Sequence, residues 1–164
     1  MIDLIDIREC VVVPALTRLD MYSLAAEQLV MATAAQESDL IHLRQHGDGP
    51  ARGLWQMEEN TYYDIWENYL IYREDIQHRV RQMRGSFPHG PDALTGNLFY
   101  ACAMCRVHYY RRPQKLPAAG NVKGLARYWK QHYNTPRGRG TVDEFIATYN
   151  DLIKPLYEGP NEEI

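Results

Sequence analysis

Cysteine is scarce in this chain of 164 residues: Cys10, Cys102 and Cys105 make an odd set with no framework spacing. That excludes a disulfide-stapled scaffold and points to a reducing compartment. Cys102 and Cys105 form a C-x-x-C pair inside an apolar helical run, with no βαβ pattern around it and no second pair elsewhere. Core packing is the better reading than a redox centre or half a zinc site. An excess of charge is also missing: 18 basic against 21 acidic residues leave a net charge of −3 and a pI near 6.1. No global basic field exists to hold nucleic acid or an anionic membrane. No apolar run approaches the roughly 20 residues needed to span a bilayer. The opening MIDLIDIRECVVVPALTRLD has acids where a secretory signal needs bases, and Pro14 interrupts its apolar run, with no small-residue cleavage site after it. A target outside the cytoplasm therefore implies a carrier other than a signal peptide.

Apolar residues make up 45% of the chain and charged residues 24%, which suits a globular protein. At this length a chain buries about two thirds of its unfolded surface around one core. Residues 1–155 are expected to form a single domain and 156–164 a C-terminal tail that frays beyond Pro155. There is no internal repeat and no low-complexity tract.

Seven segments read as helices. The first covers residues 8–19, limited or kinked by Pro14, which lacks a backbone donor. The second runs over 23–37 from a Ser23 N-cap, and Ala25, Ala26, Leu29, Val30, Ala32 and Ala34 leave little of its circumference polar. A helix apolar almost all round is buried. The next is expected to open at Thr61, where Thr61 and Asp64 have capping-box spacing, with Ile65, Trp66, Tyr69 and Leu70 on one face. Ile76, Val80 and Met83 mark another. The glycine- and proline-rich stretch 85–96 reads as a long connection. Helices follow over 97–111 and 122–133, and Thr141 with Glu144 makes a second capping box for a helix to about residue 152. Between the second and third helices, Gly47, Gly49 and Pro50 mark a turn between two short extended pieces. The fold class expected is α+β, mainly α, with a short β-hairpin after the second helix.

The chemistry concentrates at the end of that helix. Glu37 emerges from a buried segment, where lost solvation disfavours the charged carboxylate and raises its pKa, as a general acid near neutral pH requires. A negative charge at a helix C-terminus is also unfavourable by about 0.3 to 1 kcal/mol, so a merely solvated Glu37 is the weaker reading. Ser38 puts a hydroxyl beside it, the following glycines let backbone approach a ligand, and Gln56 adds an amide in an otherwise apolar LWQM segment.

Glu37-Ser38, then Gly49-Pro-Ala-Arg-Gly-Leu-Trp-Gln56-Met and Thr61, resembles the lysozyme-superfamily pattern of lytic transglycosylases and goose-type lysozymes, in which E-S precedes G-A-x-G-L-M-Q and a threonine. The likeness covers residues 34–61. The later phrase ARYWKQHYNTPRGRGT and the absent signal look like a bacteriophage branch. The resemblance implies a lysozyme-like fold and cleavage of the β-1,4 bond between N-acetylmuramic acid and N-acetylglucosamine in peptidoglycan. It implies Glu37 as the one acid/base, closing a 1,6-anhydro ring with the substrate's N-acetyl group in place of a protein nucleophile, an exception to the two-carboxylate rule. Ser38 and Gln56 would bind or orient substrate. The family's A-Y-N-A-G-P motif is matched only by HYNTPRG, which gives Tyr133 and Asn134, with Tyr109 and Tyr110 as rivals.

A phage setting implies either a virion component acting during genome delivery or a lysis enzyme that waits in the host cytoplasm for a holin pore. Both act in the periplasm or cell wall on the glycan strand, with other virion proteins as further partners. No nucleic acid, membrane span, metal or cofactor is called for. Two rivals stand beside this reading. One is a hydrolytic muramidase pairing Glu37 with Asp48 at the turn, although an aspartate there more readily bonds its own backbone. The other is an inactive structural module of the same fold. His42 and His46 lack the intervening glutamate of a zinc helix. RGRG at 137–140 lacks a phosphate-loop ending, and the cations of YYRRPQK suit a helix C-terminus.

Overall fold

The alanine-rich second helix and the apolar LFYACAMCRVHYY helix supply the two most buried elements, and the other helices pack around them. In a computed structural model that describes residues 1–45, 47, 49–135 and 138–158, eight helices account for the regular structure. Helix α1 occupies residues 4–18. It is α-helical at Leu4–Asp6, widened to π geometry over Ile7–Val12, and α-helical again over Val13–Arg18. The widening falls just before Pro14, and the Val13 amide reaches back five residues to the Arg8 carbonyl. An insertion of this kind is one of the ways a helix accommodates a proline.

Helix α2, Leu24–Ser38, is capped by Ser23, whose hydroxyl accepts from the Ala26 amide at 3.1 Å. It packs against α1 and against three later helices: α6 (Leu98–Tyr110), α7 (residues 122–134) and α8 (residues 142–153). Helices α3 (Glu59–Asn68), α4 (Glu74–Arg84) and the short α5 (Ala93–Gly96) gather on the other side of α6. Ile76, Val80 and Met83 are buried on α4 as their spacing requires. The Thr141–Glu144 capping box forms in full at the start of α8.

Three expectations change. The chain is mainly α rather than α+β, because the hairpin does not form: among the described residues there are two isolated antiparallel bridges, Arg44 with Arg52 and Arg52 with Met57, and no strand. The cause is local. Gly53 and Gln56 both have positive φ, and the Gln56 amide donates to the Gly53 carbonyl, so the chain coils inside the Arg52–Met57 bridge and no ladder propagates. Gly53 is required there, since a Cβ at this φ of +74° would lie 2.6 Å from the Leu94 carbonyl oxygen.

The second change is at α3, which opens at Glu59 after Glu58, without a side-chain cap. Asp64 accepts instead from Asn68 and Arg111, so the Thr61–Asp64 box is not used. The third is at the C-terminus. The chain continues past Pro155 in a 3₁₀ turn, Lys154–Leu156, and the Tyr157 hydroxyl donates to Glu27 at 2.8 Å. Asp48, His46, Arg137 and residues 159–164 lie outside the described residues. No helix among those described is long and apolar enough to cross a membrane.

Candidate functional site

Glu37 lies in the last turn of α2, and the chain leaves the helix sharply. Asp39 and Leu40 are both left-handed, at φ 51° and 54°, and the Asp39 amide returns to the Ala35 carbonyl. Leu40 is wholly buried, which pins the exit. The other end of the turn is fixed by Gln36, whose Oε1 accepts from the Thr148 hydroxyl of α8 at 2.8 Å. The Glu37 carboxyl is thereby held against a cleft of about 720 Å³ walled by the 42–58 segment, α7 and the loop that follows α7. This volume lies in the usual range for a ligand site.

The indole of Trp129 on α7 donates through Nε1 to Glu37 Oε1 at 2.9 Å. Trp129 is itself wholly buried, stacked on Phe145 at 5.0 Å between centroids. Gly140 leaves room for it, because a Cβ there would come within 2.7 Å of the indole Cη2. Burial pushes the Glu37 carboxyl up from its ordinary value of 4.5 to about 7. The Trp129 hydrogen bond opposes this, the charge of Glu58 adds to it, and Lys130 opposes it again. One oxygen of Glu37 is engaged by an indole that can only donate, so a proton on the carboxyl belongs on the other oxygen.

Of the residues singled out in the sequence, Glu37, Gln56, Tyr133 and Asn134 line the same cleft. Ser38 does not: it is buried and its hydroxyl donates to the Ala34 carbonyl one turn back at 3.0 Å. Gln56 faces the cleft but its amide nitrogen donates to the Gly53 carbonyl at 2.8 Å, so it also braces its own turn. The Tyr133 hydroxyl donates to the Trp55 carbonyl at 2.6 Å, and its ring stacks on Tyr109 with His108 edge-on. Burial drives the Tyr133 phenol well above its usual range, so it stays neutral. Tyr109, one of the rivals, is buried and shares its hydroxyl with Thr33, while Tyr110 is exposed under the Arg106 guanidinium.

Asn134 Oδ1 accepts from Lys130 Nζ at 2.7 Å, and the same ammonium donates to the Gly138 and Gly140 carbonyls. Lys130 thus closes the loop after α7 into a cleft wall. Two residues on the lining have strained backbones: Thr135, β-branched, at φ 71° and ψ 153°, and Gln56 at φ 44°. Each is worth of order 1–3 kcal/mol of strain, the kind that persists where surrounding structure imposes it.

Sequence reasoning passed over Trp129, Lys130 and His108, and it ranked Glu58 below Asp48 as a second carboxylate because solvation or helix capping explained it. The i, i+4 pairs Trp129–Tyr133 and Lys130–Asn134 were available as a signal, since each places both members on one helix face. His108 reaches the cleft from α6 and is buried. Arg111 donates to its Nδ1 at 3.1 Å, which leaves the ring proton on Nε2, and burial with Arg111 and Arg112 nearby holds its pKa down to about 3. It is a neutral wall at any physiological pH.

Among the described residues no group of three or more His, Cys, Asp or Glu is arranged to hold a metal ion. The arrangement offers acid/base chemistry from a single tuned carboxyl. No family model, no curated protein and no solved structure matches the chain.

Proposed function

We propose that this chain is a peptidoglycan lytic transglycosylase in which Glu37 is the general acid and then the general base. The observation that carries the reading is one carboxyl, raised to about 7 by burial and held by Trp129, on the wall of a cleft of saccharide size. The resemblance of residues 34–61 to the lytic transglycosylase pattern supplies the substrate. Protonated Glu37 gives its proton to the glycosidic oxygen as the bond from the muramic acid C1 breaks, and the N-acetyl oxygen closes on C1. The resulting carboxylate then takes the proton of the C6 hydroxyl as O6 displaces that oxygen. A 1,6-anhydro ring forms, no water is consumed, and Glu37 is protonated again. Gln56, Tyr133 and Asn134 shape and bind the sugar rings, and Ser38 stiffens the last turn of α2. The setting we propose is a phage, as a virion component or as a lysis enzyme released through a holin pore.

Hydrolysis is the second reading, and Glu58 is the observation that favours it. It lines the same cleft, is exposed, caps nothing, and acts electrostatically on Glu37. A carboxylate so placed suits activation of a water, as a two-carboxylate mechanism demands. Digestion of purified cell walls followed by mass analysis of the fragments separates the two. Anhydro ends, lacking the elements of water, support transglycosylation, and reducing ends replace it with hydrolysis. Glu37→Gln should lower the rate about 10²- to 10⁴-fold, the usual contribution of a general acid. Undiminished lysis by that variant removes Glu37 from the mechanism, and absence of any lysis by the wild type leaves the fold without the activity.

A further inference from the structure

Among the described residues most arginines are engaged. Arg8, Arg52, Arg79 and Arg111 meet carboxylates, Arg18, Arg73, Arg81 and Arg106 lie over aromatic rings, Arg84 bonds His89, and Arg112 reaches the His132 carbonyl. Arg44, Arg127 and Arg139 differ, making no side-chain hydrogen bond or ion pair with a described residue. Arg44 and Arg139 both line the cleft that holds Glu37, and both are exposed. They come from two separate walls, Arg44 from the segment after α2 and Arg139 from the loop after α7 that Lys130 ties down. A chain with a net charge of −3 therefore keeps, in the cleft that holds Glu37, two guanidiniums with no ionic partner among the described residues. Besides Glu37, one other acidic residue, Glu58, lines the cleft among the described residues. A guanidinium is a planar, bidentate match for a carboxylate, and two of them flanking a site select an anionic ligand.

We propose that Arg44 and Arg139 are carboxylate-binding residues that make the cleft specific for glycan strands bearing acidic substituents. Within the cell-wall reading, on which this rests for its substrate, the carboxylates come from the peptide stems on muramic acid or from the free lactyl group of a peptide-free strand. A neutral N-acetylglucosamine oligomer carries neither.

The test measures binding rather than cleavage. The Glu37→Gln protein is titrated with three probes: peptide-bearing strands, peptide-free strands and the neutral oligomer. The arginine Nε signals of the ¹⁵N-labelled protein are followed alongside. The Arg44 and Arg139 signals should move with the acidic probes and stay still with the neutral one, and whichever acidic probe moves them more identifies the source of the carboxylate. R44Q and R139Q should each lower the ratio of acidic to neutral affinity about three- to tenfold at low salt, less at high salt, as expected for a partly exposed charge-assisted pair. R127Q, exposed and away from the cleft, should leave the ratio where it was. Equal affinity for acidic and neutral strands, or a ratio unmoved in both cleft variants, overturns the proposal. Acidic strands bound through the arginines but left intact by the wild type would sink the transglycosylase reading alone. Cleavage without preference for acidic strands would sink the arginine pair alone.

Discussion

At the scale of the residue, Glu37 is a balance of opposed influences. Burial and Glu58 favour its protonated form, while Trp129 and Lys130 favour the charged one. Trp129→Phe keeps a ring to stack on Phe145 but removes the donor. The carboxyl should then hold its proton more tightly, and the alkaline limb of the pH–rate profile should move to higher pH. The loss of an anchor should also reduce the rate at its optimum, by roughly tenfold, since small misplacements of a catalytic group are expensive. A limb that moved to lower pH would show that the indole does not favour the carboxylate.

The same balance sets a stability. The native carboxyl, with its pKa raised to about 7, keeps a proton across pH 4.5–7 that the unfolded chain has lost. Stability tied to this group is therefore full at acid pH and falls as pH rises through that window. Glu37→Gln should accordingly raise stability at pH 8, on the order of 2 kcal/mol, and change it little at pH 4, read from urea unfolding at the two pH values. A variant equally destabilised at both would contradict the burial argument.

At the scale of the element, most helices were legible because each carried its own signals. Ser23 and the Thr141–Glu144 pair cap where the sequence placed them, and the apolar spacing of Ile76, Val80 and Met83 on α4 matches what is buried. The segment 40–58 was not legible as a hairpin. Gly47, Gly49 and Pro50 suggested a turn between extended pieces, whereas the positive-φ residues at 53 and 56 curl the chain inside the Arg52–Met57 bridge. Gly53 is the hinge of that turn. Gly53→Ala should destabilise the fold by roughly 1–3 kcal/mol, through positive φ and the close Leu94 carbonyl together, measured by denaturant unfolding. A neutral result would mean that the turn can relax away from α5.

At the scale of the whole molecule, the parts of the cleft come from segments far apart in the chain, and their alignment depends on ties through the core. Three such ties meet at Glu27 of α2, which is wholly buried. It accepts from Arg8 Nε at 2.6 Å, from the Tyr22 hydroxyl at 2.7 Å and from the Tyr157 hydroxyl at 2.8 Å. This one carboxylate joins α1, the start of α2 and the C-terminal segment. Removing one partner of a buried ion pair leaves the other uncompensated, so Glu27→Ala should cost about 3–5 kcal/mol in urea unfolding. A loss under 1 kcal/mol would show that water readily replaces the carboxylate.

The sequence by itself determined most of the helices, the caps at Ser23 and Thr141, the two apolar elements at the centre and the suspicion that falls on Glu37, because propensity, capping and periodicity act within a few residues. Only the tertiary structure decided that Trp129 meets Glu37 across 92 positions of chain, that Tyr133 and Asn134 share its cleft, that Ser38 turns away, and that Arg44 and Arg139 stand beside it with no ionic partner among the described residues. Those are matters of which helix faces which, and they are settled by packing against a common core, where no local pattern of residues specifies the partner.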